Sequence, residues 1–340
     1  MKKTAFILII IIFFLTAFTA CNFNDRSMGF VFGTSYELEI SGLKANRAKK
    51  EIISILEDIE LTLSTNIKTS DVYKINHSLV NTPVAVSRLT MDMFNQSRIL
   101  YNETDGKFNA AIFPIVRLFG FSPDSDTEEK TPPKNNEITE ILPYCNFDYF
   151  VADEENMTLM RTSEYAMLDF GAVAKGYAVQ ESLSIIKGYG IKRAIVNIGG
   201  TVGNVGKSIK VGIKSPRESD KKCFASFELD DGLTAATSGD YERYYIYQGI
   251  RYHHIMDSER GMPVYNGIIG VTIVTSDGTL SDILSTSVFC MGAKKGMDYA
   301  VSKGAKCLII MDDGTYYLSK GFDVKIAEEG YTKADINAAS

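Results

Sequence analysis

Leu168-Asp169-Phe170-Gly171-Ala172-Val173-Ala174-Lys175-Gly176-Tyr177-Ala178 reads as an apolar strand end that breaks at a glycine and restarts as a helix. The first N–H groups of a helix have no carbonyl partner within it and attract anions, and Lys175 near the helix start adds a point charge that a phosphate can use. Asp169 places an acid just before the break. Ordinary strand-to-helix connections also carry glycine and lysine, so this stretch alone leaves phosphate binding and a plain turn both open.

Towards the N-terminus, Lys2 and Lys3 precede an apolar run from Ala5 to Phe18 that closes on Phe18-Thr19-Ala20-Cys21. A basic start, an apolar core shorter than the roughly 20 residues of a membrane span, and small residues at its end form a signal-peptide pattern. The end also resembles a bacterial lipobox. Residues 1–20 are then a lipoprotein signal peptide and Cys21 the lipidation site, with Phe18 standing where leucine is more usual. An uncleaved N-terminal anchor is the competing reading. Both put the body outside the cytoplasm on a bacterial membrane, on its periplasmic side or at the cell surface.

The body left behind, residues 21–340, has about 320 residues, enough for one large domain or two small ones. Full-length formal charge is −6, and removal of Lys2 and Lys3 makes the body more acidic, which excludes nucleic acid as a natural partner. Cys145, Cys223, Cys290 and Cys307 are scattered without a C-x-x-C pair. That spacing argues against zinc and against a dense disulfide framework, and leaves one disulfide open. Cys290 and Cys307 lie in apolar runs and read as buried thiols.

Residues 30–41 alternate as a strand, and residues 44–64 carry Ile52, Ile53, Leu56, Ile59 and Leu63 at helical spacing. A second helix runs from Ser87 as cap to Asn102. Residues 122–137 are acidic and hold Pro123, Pro132 and Pro133, a surface loop. Strands are expected at 194–198, 209–214, 224–229, 243–248, 268–275 and 307–311, and a helix at 281–303. Without a regular βαβ rhythm, the class is α+β, one domain that two lobes could build.

Asn197-Ile198-Gly199-Gly200-Thr201-Val202-Gly203-Asn204-Val205-Gly206 is glycine-rich but lacks G-x-G-x-x-G, and the next apolar run reads as a strand. A tight turn is favoured over ligand contact. Residues 237–245 and 251–257 form a second polar cluster that includes His253 and His254. Neighbours in a strand face opposite sides, so paired metal ligation by the two histidines is disfavoured, and one of them is available for proton transfer or ligand contact. In a third cluster Asp282 and Thr286, four apart, share a helix face. A carboxylate and a hydroxyl so placed can bind a hard cation, although capping and packing are the commoner uses of such a pair.

The order and wording of these segments resemble the ApbE family, the FAD:protein FMN transferases. The resemblance includes Phe32-Gly33-Thr34, Leu63-Ser64-Thr65-Asn66 with Ser70-Asp71 and Ile75-Asn76, and Thr104-Asp105-Gly106-Lys107-Phe108-Asn109 leading to Pro114 and Leu118-Phe119-Gly120-Phe121. It continues through residues 168–178, Val196-Asn197-Ile198-Gly199-Gly200, Thr237-Ser238-Gly239-Asp240-Tyr241, His253-His254-Ile255-Met256-Asp257 and Asp282-Ile283-Leu284-Ser285-Thr286.

What the resemblance implies is an α+β, ApbE-like fold of mixed, largely antiparallel sheets packed with helices. The implied enzyme is Mg²⁺-dependent, cleaves FAD, releases AMP and attaches FMN through a phosphoester to a threonine of an acceptor, a redox protein or membrane redox subunit. The metal would be held by Asp282, Thr286 and the Ala172 carbonyl. Phe32, Asn66, Lys107, Phe108, Asn109, Asp169, Lys175 and Ile255 would line the FAD site, with His254 and Lys175 the catalytic candidates. Asn66 stands where many members have an aromatic, a loss of stacking surface worth on the order of 1 kcal/mol. Asn109 stands where aspartate is common. Water admitted beside Asn66 would make the enzyme an FAD pyrophosphatase giving FMN and AMP. A lipoprotein that only captures flavin is the reading from another class, and a paired Asp282 and Thr286 argue against it.

Overall fold

The computed structural model describes residues 24–122, 125, 130–217 and 223–338. The signal-peptide reading of residues 1–20, Cys21, and residues 123, 124 and 126–129 of the surface loop lie outside the described residues.

A nine-stranded sheet organises the chain: β1 (Asn24–Val31), β2 (Thr34–Ser41), β3 (Ala194–Ile198), β4 (Thr201–Val205), β5 (Thr234–Gly239), β6 (Ile268–Thr275), β7 (Lys306–Met311), β8 (Thr315–Leu318) and β9 (Thr332–Lys333). Each strand pairs with the next in chain order, and all pairs are antiparallel except the last. Helices α1 (Ala45–Leu63), α2 (Gly171–Gly188), α3 (Gly278–Met291) and α4 (Ala293–Ser302) pack on it. The α+β expectation holds.

The periodicity of α1 explains its placement. Ile52, Leu56, Ile59 and Leu63 fall on one face and are buried in a core with Leu38 and Ile40 of β2 and Val196 and Ile198 of β3. Each such side chain contributes about 1.5–3 kcal/mol on burial. β6 is apolar and buried along its whole length. Val271 and Ile273 pack with Leu284 and Val288 of α3, while Ile269 and Val274 join Phe224 and Phe227 of a second, three-stranded sheet. A strand covered on both faces has no reason to alternate.

Several boundaries differ from the sequence expectation. Residues 30–41 are a hairpin, because the chain turns at Phe32 and Gly33, with φ of 54° and 68°. The helix expected over 281–303 is two, divided at Gly292 with φ 86°. Leu168–Phe170 is an irregular link outside any sheet. Its backbone partners are instead the side chain of Asn76, which both donates to and accepts from Leu168 at 2.8 Å, and the Ala110 carbonyl, which accepts from Asp169 at 2.9 Å. The surface loop ends at Lys134, whose N–H donates to Glu137 and starts a helix at Asn135–Ile141. Gly199 and Gly200 do form the expected two-residue turn, and Thr201–Val205 after it is a strand that alternation did not reveal. Cys145, Cys223, Cys290 and Cys307 are all free thiols.

Candidate active site

The site is built where the N-terminal turns of α2 and α3 cross. Gly176 and Gly278 are glycines because the two backbones touch there: a Cβ on Gly176 would lie 2.3 Å from the Gly278 carbonyl oxygen, and one on Gly278 would lie 2.7 Å from that of Gly176. The crossing carries Asp282 over α2, and its Oδ2 accepts from the Gly176 N–H at 2.9 Å and lies 3.4 Å from Lys175 Nζ. A backbone N–H of one helix thus donates to a carboxylate carried by the other.

Lys175 also donates to the Gly171 carbonyl at 3.0 Å, and its stem passes beside Gly199, where a Cβ would lie 3.2 Å from Lys175 Cδ and 2.6 Å from the Thr34 methyl. The tight turn after β3 therefore shapes the lysine's channel. Asp169 Oδ1 accepts from the Gly171 N–H at 2.8 Å. The helix start read as a bare anion cradle thus already holds two carboxylates of the chain itself. Burial raises the pKa of both Asp282 and Asp169; Lys175 and the Gly176 N–H oppose the rise at Asp282, and the Gly171 N–H, Arg243 and Lys175 oppose it at Asp169.

His254 reaches the same neighbourhood from the far side. Its Nδ1 lies 3.2 Å from the Arg243 carbonyl, which can only accept, so Nδ1 carries the hydrogen and Nε2 keeps a lone pair. Burial, then Arg243 and His253, push its pKa down to about 3, so the ring is neutral at physiological pH. His253 is buried separately, with Nε2 3.0 Å from the Val264 carbonyl. The two rings have different partners, and among the described residues no group of three or more His, Cys, Asp or Glu could hold a metal.

The remaining expected residues are dispersed around the fold. Thr286 Oγ1 lies 3.2 Å from Ser238 of β5, whose hydroxyl also meets Ser285 at 2.7 Å. Asp282, Thr286 and the Ala172 carbonyl are all hard oxygen donors, the set a small divalent cation takes while keeping positions for water and substrate. Lys107 Nζ is 2.9 Å from Glu259 and 4.0 Å from Asp257, and Lys107 and Asp257 both act electrostatically on Cys290, at the far end of α3. Phe32 sits in the β1–β2 turn, its N–H donating to Glu60 at 2.7 Å, and Ile255 is buried with Leu284 and Val288 of α3. Phe108 is core, and Asn109 has both ends of its amide engaged, with the Cys145 carbonyl and the Ala111 N–H, each at 2.8 Å. Asn66 is exposed, and its N–H donates to the Ser64 hydroxyl within its own loop.

Arg243 was missed from sequence. It donates to the Phe121 carbonyl, keeps part of its side chain exposed while the protein crowded around it lowers its pKa by desolvation, and acts on both Asp169 and His254. Its place between a histidine-bearing segment and an acid in the same resemblance was the available signal. Ser238 was likewise unassigned. Asp240, in the same motif, is held by Arg217 through two 2.8 Å bonds and braces the segment.

The ApbE family model matches residues 32–309. The FAD:protein FMN transferase of Vibrio cholerae is 27% identical over 307 residues, spanning 88% of this chain and 90% of its own length. That of Klebsiella pneumoniae is 30% identical over 247 residues, 72% of this chain and 76% of its own length. The crystal structure of the ApbE protein of Thermotoga maritima superposes with a TM-score of 0.77 at 30% identity, covering 89% of this chain and 96% of its own. Flavin transferase ApbE of Vibrio cholerae gives 0.74 at 26% identity, covering 87% and 97%. With that match running from the β1–β2 turn to β7, through both crossing helices and the His254 segment, the chain belongs to the ApbE family.

Proposed function

We propose that the protein is an FAD:protein FMN transferase, Mg²⁺-dependent and lipid-anchored through Cys21 on the outer side of a bacterial membrane, and that its acceptor residue is a threonine of a redox protein. The observation that carries the reading is the crossing of α2 and α3, which sets Asp282 against Lys175 and the Gly176 N–H beside Asp169. Names of the relatives above support the reaction; the oxygen donor set supports the metal.

When bound by Asp282, Thr286 and the Ala172 carbonyl, Mg²⁺ supplies charge neutralisation at the pyrophosphate. Lys175 adds positive charge at the same place, where the approach of an oxygen nucleophile to an anionic phosphorus is otherwise opposed. His254 Nε2 accepts the proton of the acceptor hydroxyl. The hydroxyl oxygen forms a bond to the FMN phosphorus, the bond from that phosphorus to the bridging oxygen breaks, and AMP leaves with the electron pair. Phe32, Lys107 and Ile255 would contact the dinucleotide, as the family resemblance implies. A pKa of about 3 keeps the His254 ring neutral but makes it a weak base, and the negative charge of a bound pyrophosphate beside it would raise its basicity towards the working pH.

The test is incubation of the protein with FAD and Mg²⁺, with and without a candidate acceptor, following AMP and protein-bound flavin. Acceptor-dependent AMP together with a fluorescent acceptor band is the expected result. AMP without bound flavin would replace transfer by hydrolysis, the outcome that Asn66 in place of an aromatic would favour. No AMP under any condition would leave only flavin capture.

A further inference from the structure

We infer that the end of the main sheet opposite the active site is a docking face for an anionic phospholipid surface, and this rests on the reading of Cys21 as a lipid anchor. The strands define two poles. Phe32, Thr34 and Gly199 lie at the site pole, together with Lys175. At the other pole β1 begins at Asn24, β2 ends at Ser41, and the Ser41 N–H donates to the Arg193 carbonyl at 3.0 Å. Only three residue steps lead from Cys21 to Asn24, a reach of about 10 Å. An anchor at Cys21 therefore holds this pole, and no other, against the membrane.

The residues displayed there suit that surface. Leu43 is 95% exposed at the tip of the loop after β2. Lys44, Arg47 and Lys50 follow it on the exposed face of the first turns of α1, and Lys192 and Arg193 are exposed on the adjoining loop before β3. Acids also lie towards this pole, but several are engaged: Glu51 accepts from the Tyr189 hydroxyl at 2.7 Å, Glu39 lies 3.9 Å from Arg26, and Asp231 accepts from the Gly206 N–H at 2.7 Å, while Asp25 faces Ile40 in the β1–β2 register. Helix dipoles favour acids in the first turn, yet α1 has none there. On a chain of net charge −6, a cluster of cations around a protruding leucine is a local exception. A lipid anchor keeps this pole close to the bilayer, and a basic patch beside it determines whether the pole lies against an anionic surface. Each cation near an anionic leaflet adds about fivefold to binding. Seven residue steps along β2 then hold the active site roughly 24 Å beyond the docking face.

The chain has no tryptophan, so a Leu43→Trp substitution in the full-length protein places a single indole reporter on the patch. The acylated protein is reconstituted in phosphatidylcholine vesicles with and without phosphatidylglycerol, some carrying spin-labelled lipid as quencher. Expected are blue-shifted emission and quenching in phosphatidylglycerol vesicles only, reversed by high salt, with the docked population reduced on the order of 25-fold when Lys44→Gln and Arg47→Gln are added. Flotation with both vesicle types in high salt reports the anchor separately. Flotation only with anionic vesicles at low salt would remove the anchor reading and keep the docking face. Emission that is indifferent to phosphatidylglycerol while the protein floats with both vesicle types would overturn the proposal.

Discussion

Gly176 and Gly188 lie in the same helix, and replacing each by alanine separates close approach from helix propensity. At Gly176 the new methyl would sit 2.3 Å from the Gly278 oxygen and 2.6 Å from Asp282 Cβ, both on α3 and neither able to swing away like the end of a long side chain. Restoring ordinary contact requires α2 and α3 to separate by about 1 Å, and overpacking of this kind costs about 1–3 kcal/mol. The same movement pulls Asp282 from the Gly176 N–H and Lys175, and a misplacement of about 1 Å at a reacting centre costs about 100-fold in rate. At Gly188 nothing lies within 4 Å. Alanine there is neutral or stabilising by up to about 1 kcal/mol. Thermal unfolding and AMP release from FAD, measured on both variants, check the contrast. Gly176→Ala with wild-type melting temperature and wild-type AMP release would refute the claim that the helix crossing builds the site.

Three further outcomes follow from the geometry. His254 has a folded pKa of about 3 against an ordinary value near 6.5, so the unfolded chain binds the extra proton between those values; stability from this group is complete above about pH 6.5 and is lost as pH falls towards 3. Melting of the wild type should therefore fall more steeply than that of His254→Gln on acidification from about pH 7 to pH 4, and equal slopes would contradict the assignment. Burial raises the pKa of Asp282 while Lys175 lowers it, so protons compete with Mg²⁺ as pH drops, and Lys175→Met should move that competition to higher pH; the half-saturating Mg²⁺ for AMP release, titrated at several pH values, is the readout. Asn109→Asp sets a carboxylate oxygen against the Cys145 carbonyl in place of a donor and should cost about 1–3 kcal/mol, read as a lower melting temperature.

Local signals in the chain revealed the sheet only in part, leaving β4, β5, β8 and β9 unread, and showed little of the site's closure. β3 and β6 were legible from their apolar runs, and α1 from a 3.6-residue period, because these patterns reflect burial directly. Phe32 hid the first hairpin: apolar alternation continues through a turn whose left-handed backbone usually announces itself as glycine, and the glycine is one residue later. Gly292 divides α3 from α4 without interrupting the apolar face on either side. Leu168–Phe170 reads as a strand end from its apolar residues, but Leu168 is held by the amide of Asn76, 92 residues away. Local spacing put Asp282 and Thr286 on one face. It could not show that Gly176 and Gly278 meet, that Ser238 reaches Thr286, or that Arg243 lies near both Asp169 and His254, since those are properties of the tertiary fold.

The most direct measurement of the central claim is mass spectrometry of an acceptor protein after incubation with this protein, FAD and Mg²⁺. The account predicts one FMN bound through a phosphoester to a threonine, AMP formed in equal amount, and neither product when Asp282→Ala replaces the wild type. Unmodified acceptor in the presence of released AMP, or full transfer by Asp282→Ala, would contradict it.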